Sequence, residues 1–218
     1  MKVIKWKSVF RLLVEGILCP LLLLLFLLLA GATMVAQPKV FKVLYSYSMK
    51  DQPTLVDDGM KIAEGLSGNR SYEKINKTLS NGSIGEREIY HFEDIRKKLR
   101  TARALAVASC VALLMIGVAC AARWLRVVRM SLLWFGSIAV IATVWSVIHF
   151  RHFFRSLHWW IFQDDTWILP HGCYSLKLYP YAVWQTIGAV VLIGVLLLLL
   201  LGNFALRPKG KKAKHGRR

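Results

Sequence analysis

The chain has 218 residues, 56% of them hydrophobic, a mean hydropathy of +0.44 and a formal net charge of +18. That is too apolar for an ordinary soluble domain, and the apolar residues gather into long runs. So basic a chain would suggest nucleic acid, but the cations flank the apolar runs and few aromatics interleave them, which excludes that partner and points to a lipid bilayer.

Lys2, Lys5, Lys7 and Arg11 open the chain in segment 1–11, followed by an apolar run over 12–32 that Glu15, Cys19 and Pro20 interrupt. A basic start before an apolar run also describes a signal peptide, and ATMVA at 32–36 offers small residues for cleavage. The run exceeds a signal core of roughly 7–15 residues, so a retained first helix is expected. Segment 33–103 is predicted to be a first outer loop. Within it, KVFKVLY at 39–45 alternates like a strand, and DDGMKIAEGL at 57–66 suits a short amphipathic helix. Residues 69–85, rich in Asn, Ser and Gly, read as turns and mobile loop. Ile89, Phe92, Ile95 and Leu99 then recur at helical spacing over 86–103 and predict a helix running into the next apolar segment.

Further spans are expected at 104–122, 130–150 and 182–206, each long enough to cross a hydrocarbon core about 30 Å thick. The predicted fold is therefore an all-α bundle of four transmembrane helices, with a small outer domain of short strands and helices built from two outer loops, 33–103 and 151–181. The second loop is dense in Trp, His and Phe, as at a membrane interface. The link 123–129 carries Arg123, Arg126 and Arg129, and the tail 207–218 carries Arg207, Lys209, Lys211, Lys212, Lys214, Arg217 and Arg218. Four spans put the link and both termini on one side, which the positive-inside rule makes cytoplasmic. The tail can also hold anionic headgroups at about 1 kcal/mol per cation. Arg96, Lys97, Lys98, Arg100 and Arg103 fall on the outer side, where long loops cross largely regardless of charge.

The chemistry begins with exclusions. There is no G-x-S-x-G, no phosphate loop and no H-E-x-x-H. Cys19, Cys110 and Cys120 fall in expected spans and Cys173 stands apart from them, so no disulfide framework is expected. Histidine titrates near neutrality and passes protons both ways, and His91, His149, His152, His158 and His171 all fall on the expected outer side. Glu88 and Asp94 flank His91 at three residues on either side, on the same helical face, where a carboxylate can orient an imidazole. A surface histidine on a charged helix is the plainer reading of His91, and an interfacial belt residue beside Trp159 and Trp160 the plainer reading of His158. His149 and His152 share a helix face, but zinc needs three or four ligands and no third is defined, so no metal and no cofactor are expected.

Two motifs carry a resemblance. The first is E-x-x-H-hydrophobic-x-D-[VI]-[KR], present as Glu88, His91, Phe92, Asp94, Ile95 and Arg96. The second runs through Leu157, His158, Ile161, Phe162, Trp167, Leu169 and Pro170, and on to Leu176, Leu178, Tyr179, Pro180 and Trp184. Together they resemble the lipoprotein intramolecular transacylases, small bacterial integral membrane proteins. Leu157 replaces the usual Phe, and 172–174 lacks an expected acid. Aligning His152 into the motif is possible, but the spacing to Trp167 and Pro170 favours His158.

The resemblance implies acyl transfer from the sn-2 ester of a diacylglyceryl group to the α-amino group of the same lipoprotein's N-terminal cysteine, in the cell membrane on its extracytoplasmic face. It implies His91 and His158 as the acid–base pair, with His91 the expected base oriented by Glu88 and Asp94. Trp159, Trp160 and Trp167 are expected at the substrate or membrane interface. The partners implied are diacylated lipoproteins and membrane lipids, with no oligomeric state indicated. A non-enzymatic accessory or sensor protein is the alternative.

Overall fold

The computed structural model describes residues 13–68, 70–119 and 124–205, and everything described outside the turns is helical. A π-helical turn, Val14–Leu18, leads into α1, Cys19–Val35. Then follow α2, Pro38–Ser48; α3, Pro53–Ser67; α4, Tyr72–Asn76; and the long α5, Glu86–Ala119. The remaining helices are α6, Trp124–Ile148; α7, Phe150–Phe162; α8, Tyr174–Leu178; and α9, Tyr181–Ala205. The basic N-terminus, the basic tail, Cys120 and Arg123 lie outside the described residues.

Two features correct the sequence expectation. Among the described residues, three helices and not four are long and apolar enough to cross a membrane: Val14–Val35, Glu86–Ala119 and Tyr181–Ala205. The span expected at 130–150 falls in α6, which carries Arg126 and Arg129 in its first turns and Ser131, Trp134, Ser137, Trp145 and Ser146 along its length. This helix still packs along α1 and α9, where Leu132 meets Val195 and Leu199. The second correction concerns the outer domain, which has no strand among the described residues. The alternating segment 39–45 lies in α2. Pro38 sits at its first position, where a missing N–H costs nothing, and Phe41 and Tyr45 are buried one turn apart. A short alternating stretch fits both periods, and the i, i+4 pair of aromatics decided for the helix.

The apolar side chains of the three long helices face mostly outward, as Leu21, Leu28, Val111, Leu114, Leu198 and Leu201 show, which suits a lipid surround. The chain is a multi-pass membrane protein. At 34 residues, α5 is about 51 Å long, well beyond a hydrocarbon core of ~30 Å. Its apolar part is residues 104–119, so the turns before Arg103 stand clear of the bilayer and enter a second, aqueous-side core.

That core is shared by both inter-helix segments. Phe41 and Tyr45 of α2 and Met49 just beyond it pack with Met60, Ile62 and Ala63 of α3, Tyr72 of α4, Phe92 of α5, and Tyr174 and Leu178 of α8. Its aromatics also satisfy backbone carbonyls. The Tyr45 hydroxyl donates to the Leu178 carbonyl at 2.9 Å, and the Tyr179 hydroxyl to that of Gly59 at 2.6 Å. Gly59 has to be glycine, because a Cβ there would stand 2.0 Å from the Tyr45 hydroxyl oxygen. Asp58 is fully buried beside it and accepts from the Ser80 and Asn81 amides and the Tyr174 hydroxyl. Burial alone would raise its carboxyl, but these hydrogen bonds together hold it below the ordinary aspartate value.

Candidate active site

Two elements approach one another beside the outer core. One is the first two turns of α5. Glu88, at the third helical position, accepts from the Gly85 amide at 2.6 Å with one oxygen, half of a capping box. Its other oxygen accepts from the Ser175 amide at 2.7 Å and from the Ser175 hydroxyl. Glu88 thus ties the start of α5 to α8 and does not orient His91. Asp94 is partly buried three residues beyond His91.

The other element is α7. Phe154, His158 and Phe162 recur every four residues and form its inner face, while Trp159 and Trp160 point outward at 58% and 82% exposure. The His158 ring lies on Phe154 at 3.8 Å, Phe162 at 5.4 Å and Trp167 at 5.4 Å. Gln163 ends the helix in the left-handed region, φ 57°, and its amide closes on the Trp159 carbonyl. Asp164 accepts from the Thr166 amide at 3.1 Å and its hydroxyl at 2.6 Å, a turn that swings Trp167 back over His158. Arg87 donates to the Asp165 carbonyl at 2.8 Å and so fastens this turn to α5.

These ties bring the two histidines together. The ring of Phe162 touches His91 at 5.0 Å as well as His158. His91 is 7% exposed, and its Nδ1 is buried with no hydrogen-bond partner among the described residues. The His158 ring nitrogen Nδ1 stands 2.9 Å from the Phe154 carbonyl, which can only accept, so Nδ1 carries the proton and Nε2 keeps its lone pair. No local motif in the sequence marks Asp164. Its carboxylate faces His91 and Lys98, and the Thr166 hydrogen bond first of all keeps it below the usual carboxylate range.

Burial pushes both imidazoles down from the ordinary histidine value. For His91, burial and then the charge of His158 outweigh the pull of Asp164 and take it to about 4. For His158, burial prevails over the hydrogen bond to Phe154. Both rings are therefore neutral at pH 7. Because the folded value of His91 lies below its unfolded 6.5, the unfolded chain binds more protons between about pH 4 and 6.5. Stability therefore drops as pH falls through that window, by up to about 3 kcal/mol from this group. Thermal unfolding in detergent at pH 7 and pH 4.5 measures it. His91→Gln is expected to flatten the dependence, and an unchanged pH slope in that variant counts against the buried neutral imidazole.

His152 packs instead on Trp145 at 5.7 Å, with His149 at the junction of α6 and α7. Among the described residues, no three His, Cys, Asp or Glu side chains gather as a metal would require.

Residues 17–172 match the family model described as lipoprotein intramolecular transacylase Lit. The chain belongs to that family. Membership makes it an acyltransferase-type membrane protein, and the two histidine segments lie inside the matched region. The fold is similar to that of the membrane-integral lipoprotein intramolecular transacylase Lit from Bacillus cereus, with a TM-score of 0.66 and 18% identity over 87% of this chain and 94% of that one. A search of curated proteins found no match.

Proposed function

We propose that the His91–His158 site moves an acyl chain from the sn-2 ester of a diacylglyceryl group to the α-amino group of the same lipoprotein's N-terminal cysteine. The observation that carries this reading is that Phe162 brings together two neutral imidazoles from separate elements, in a chain of the transacylase family. An α-amino group has a pKa of about 7.7–8.0, and its free-base form attacks the ester carbonyl. The new C–N bond leaves a proton on nitrogen that must go elsewhere. His158 Nε2 is the group prepared to accept it, with Nδ1 held by the Phe154 carbonyl. The bond between the acyl carbon and the glycerol oxygen then breaks, and the departing glycerol oxygen takes the proton from His158.

His91, at about 4, is too weak a base for this step and stays neutral, able to donate an N–H to an oxygen as charge develops on it. The Phe154 hydrogen bond to Nδ1 leaves Nε2 of His158 as the acceptor, and this supports His158 over His91 as the base. Nucleophile and ester share one molecule, so no acyl-enzyme is needed and the protein's task is alignment.

The site lies on the extracytoplasmic face in this reading. The outer core is built at the Val35 end of α1 and the Tyr181 end of α9, whereas the basic segments precede α1 and follow α9 in the sequence, and positive flanks stay inside. Trp159 and Trp160 are placed to meet lipid.

The test uses purified protein in nanodiscs with a synthetic diacylated lipopeptide bearing a free amine. Substrate and product have equal mass, so conversion is read by fragmentation and by loss of amine reactivity. The expected result is an N-acyl lyso product, with no reaction when the amine is acetylated beforehand. Release of free fatty acid, or no conversion by the wild-type protein, would overturn the reading.

A further inference from the structure

The geometry points to the indole N–H of Trp167 as the hydrogen-bond donor that stabilises the oxyanion formed beside His158. This rests on the transfer reaction proposed above and adds a second donor beside the His91 N–H. As the amine nitrogen bonds to the carbonyl carbon, an electron pair moves onto the carbonyl oxygen. That charge needs a donor fixed in place before it appears.

Trp167 meets the requirement on three counts. Its Nε1 is buried and has no hydrogen-bond partner among the described residues. Indole nitrogen can only donate, and a buried donor left unpaired is costly, so native structures rarely keep one without a use. Second, its ring faces the His158 ring at 5.4 Å. The amine proton would go to Nε2 and the indole N–H to the carbonyl oxygen, each over a hydrogen bond of about 2.9 Å. Third, the turn that holds it is built from both sides. Asp164 closes on Thr166, and Arg87 pins the Asp165 carbonyl, so the indole does not have to be ordered during reaction. The donor lends its hydrogen without transferring it. When the pair returns to carbon, the bond between the acyl carbon and the glycerol oxygen breaks, and that oxygen takes its proton from His158.

Replacing Trp167 by β-(benzothiophen-3-yl)alanine exchanges N–H for sulfur and keeps the ring shape, and Trp167→Phe is the second variant. The full-length protein in nanodiscs is assayed with the same lipopeptide. The expected result is a fall in kcat of about 10²-fold, with KM within threefold. In the benzothienyl variant the melting temperature stays equal or rises, because ring packing is kept, no protein hydrogen bond is lost and an unpaired buried donor is removed. A merely structural indole would not lower kcat while leaving the melt unharmed. The proposal is overturned by kcat within twofold of wild type, by a rise in KM alone, or by loss of activity that tracks a lower melting temperature. Failure of the wild-type protein to convert the lipopeptide would instead remove the transfer reading itself, before any variant is measured.

Discussion

His158→Gln is expected to slow conversion of the diacylated lipopeptide by about 10²–10⁴-fold, the contribution of a positioned general base, with little change in KM. The substitution is chosen to spare the fold. A glutamine amide can still donate to the Phe154 carbonyl, now made by Nδ1 at 2.9 Å, and fills part of the space between Phe154, Phe162 and Trp167. What it cannot do is accept a proton and return it. The pH profile adds a second signature. In the wild type, the rate should fall at acid pH below the ordinary histidine value, where His158 becomes charged, and rise again as the substrate amine loses its proton near 8. In His158→Gln only the amine limb should remain. His91 provides the contrast. If its role is to donate, His91→Gln should retain more activity than His91→Leu, since the amide still offers an N–H. A His158→Gln enzyme within threefold of wild type, or one keeping the acid limb, would transfer the base role elsewhere.

The sequence made some parts of this site readable and hid others for identifiable reasons. His91 and His158 were legible because each sits in a dense local motif. The residue that joins them, Phe162, was visible only as one more aromatic on an amphipathic helix. The spacing of 154, 158 and 162 gives the inner face of α7, but nothing in it says that α5 lies opposite. Glu88 shows how a local rule can be satisfied by a competing one. Three residues from His91, it shared the right face, yet a carboxylate at the third position of a helix serves the orphan amides at that helix's start. The contact with Ser175 spans 87 positions and has no local signature. Asp164 was hidden similarly, since its approach to His91 depends on the left-handed Gln163 and the Asp164–Thr166 turn. In the bundle, length and hydropathy located α1, α5 and α9, where leucine and valine are continuous. Over α6 serine and tryptophan interrupt the run, and among the described residues it is not one of the three helices long and apolar enough to cross. In α2, the seven residues 39–45 alternate as a strand would, whereas Pro38 at the start and Phe41–Tyr45 one turn apart carry the helical signal.

Asp58→Ala is expected to cost about 3–5 kcal/mol of stability, the range for stripping one partner from a buried charged network, read as a lower melting temperature in detergent. The carboxylate is inaccessible and gathers the turn of Ser80 and Asn81, between Leu79 and Ile84 of the outer core. It accepts from the Ser80 amide at 2.9 Å, the Asn81 amide at 2.8 Å and the Tyr174 hydroxyl at 2.7 Å. Alanine leaves these donors buried, at about 1–3 kcal/mol each before relaxation. Asp58→Asn should fall between, because it keeps one accepting oxygen and turns an amide N–H₂ toward groups that are themselves donors. The folded carboxyl is depressed, so its contribution is present above the unfolded value of about 3.9 and lost only as pH falls through the lower folded value. The mutant and wild-type melts should therefore converge in strong acid and stay apart at pH 5–7. The effect reaches the reaction as well. Tyr174 precedes Ser175, whose amide and hydroxyl hold Glu88 one turn from His91, so a loosened α8 frees the start of α5. Asp58→Ala should therefore lose activity well below its melting temperature, whereas a variant that melts with the wild type and turns over at its rate would show that Asp58 organises neither the outer core nor the site.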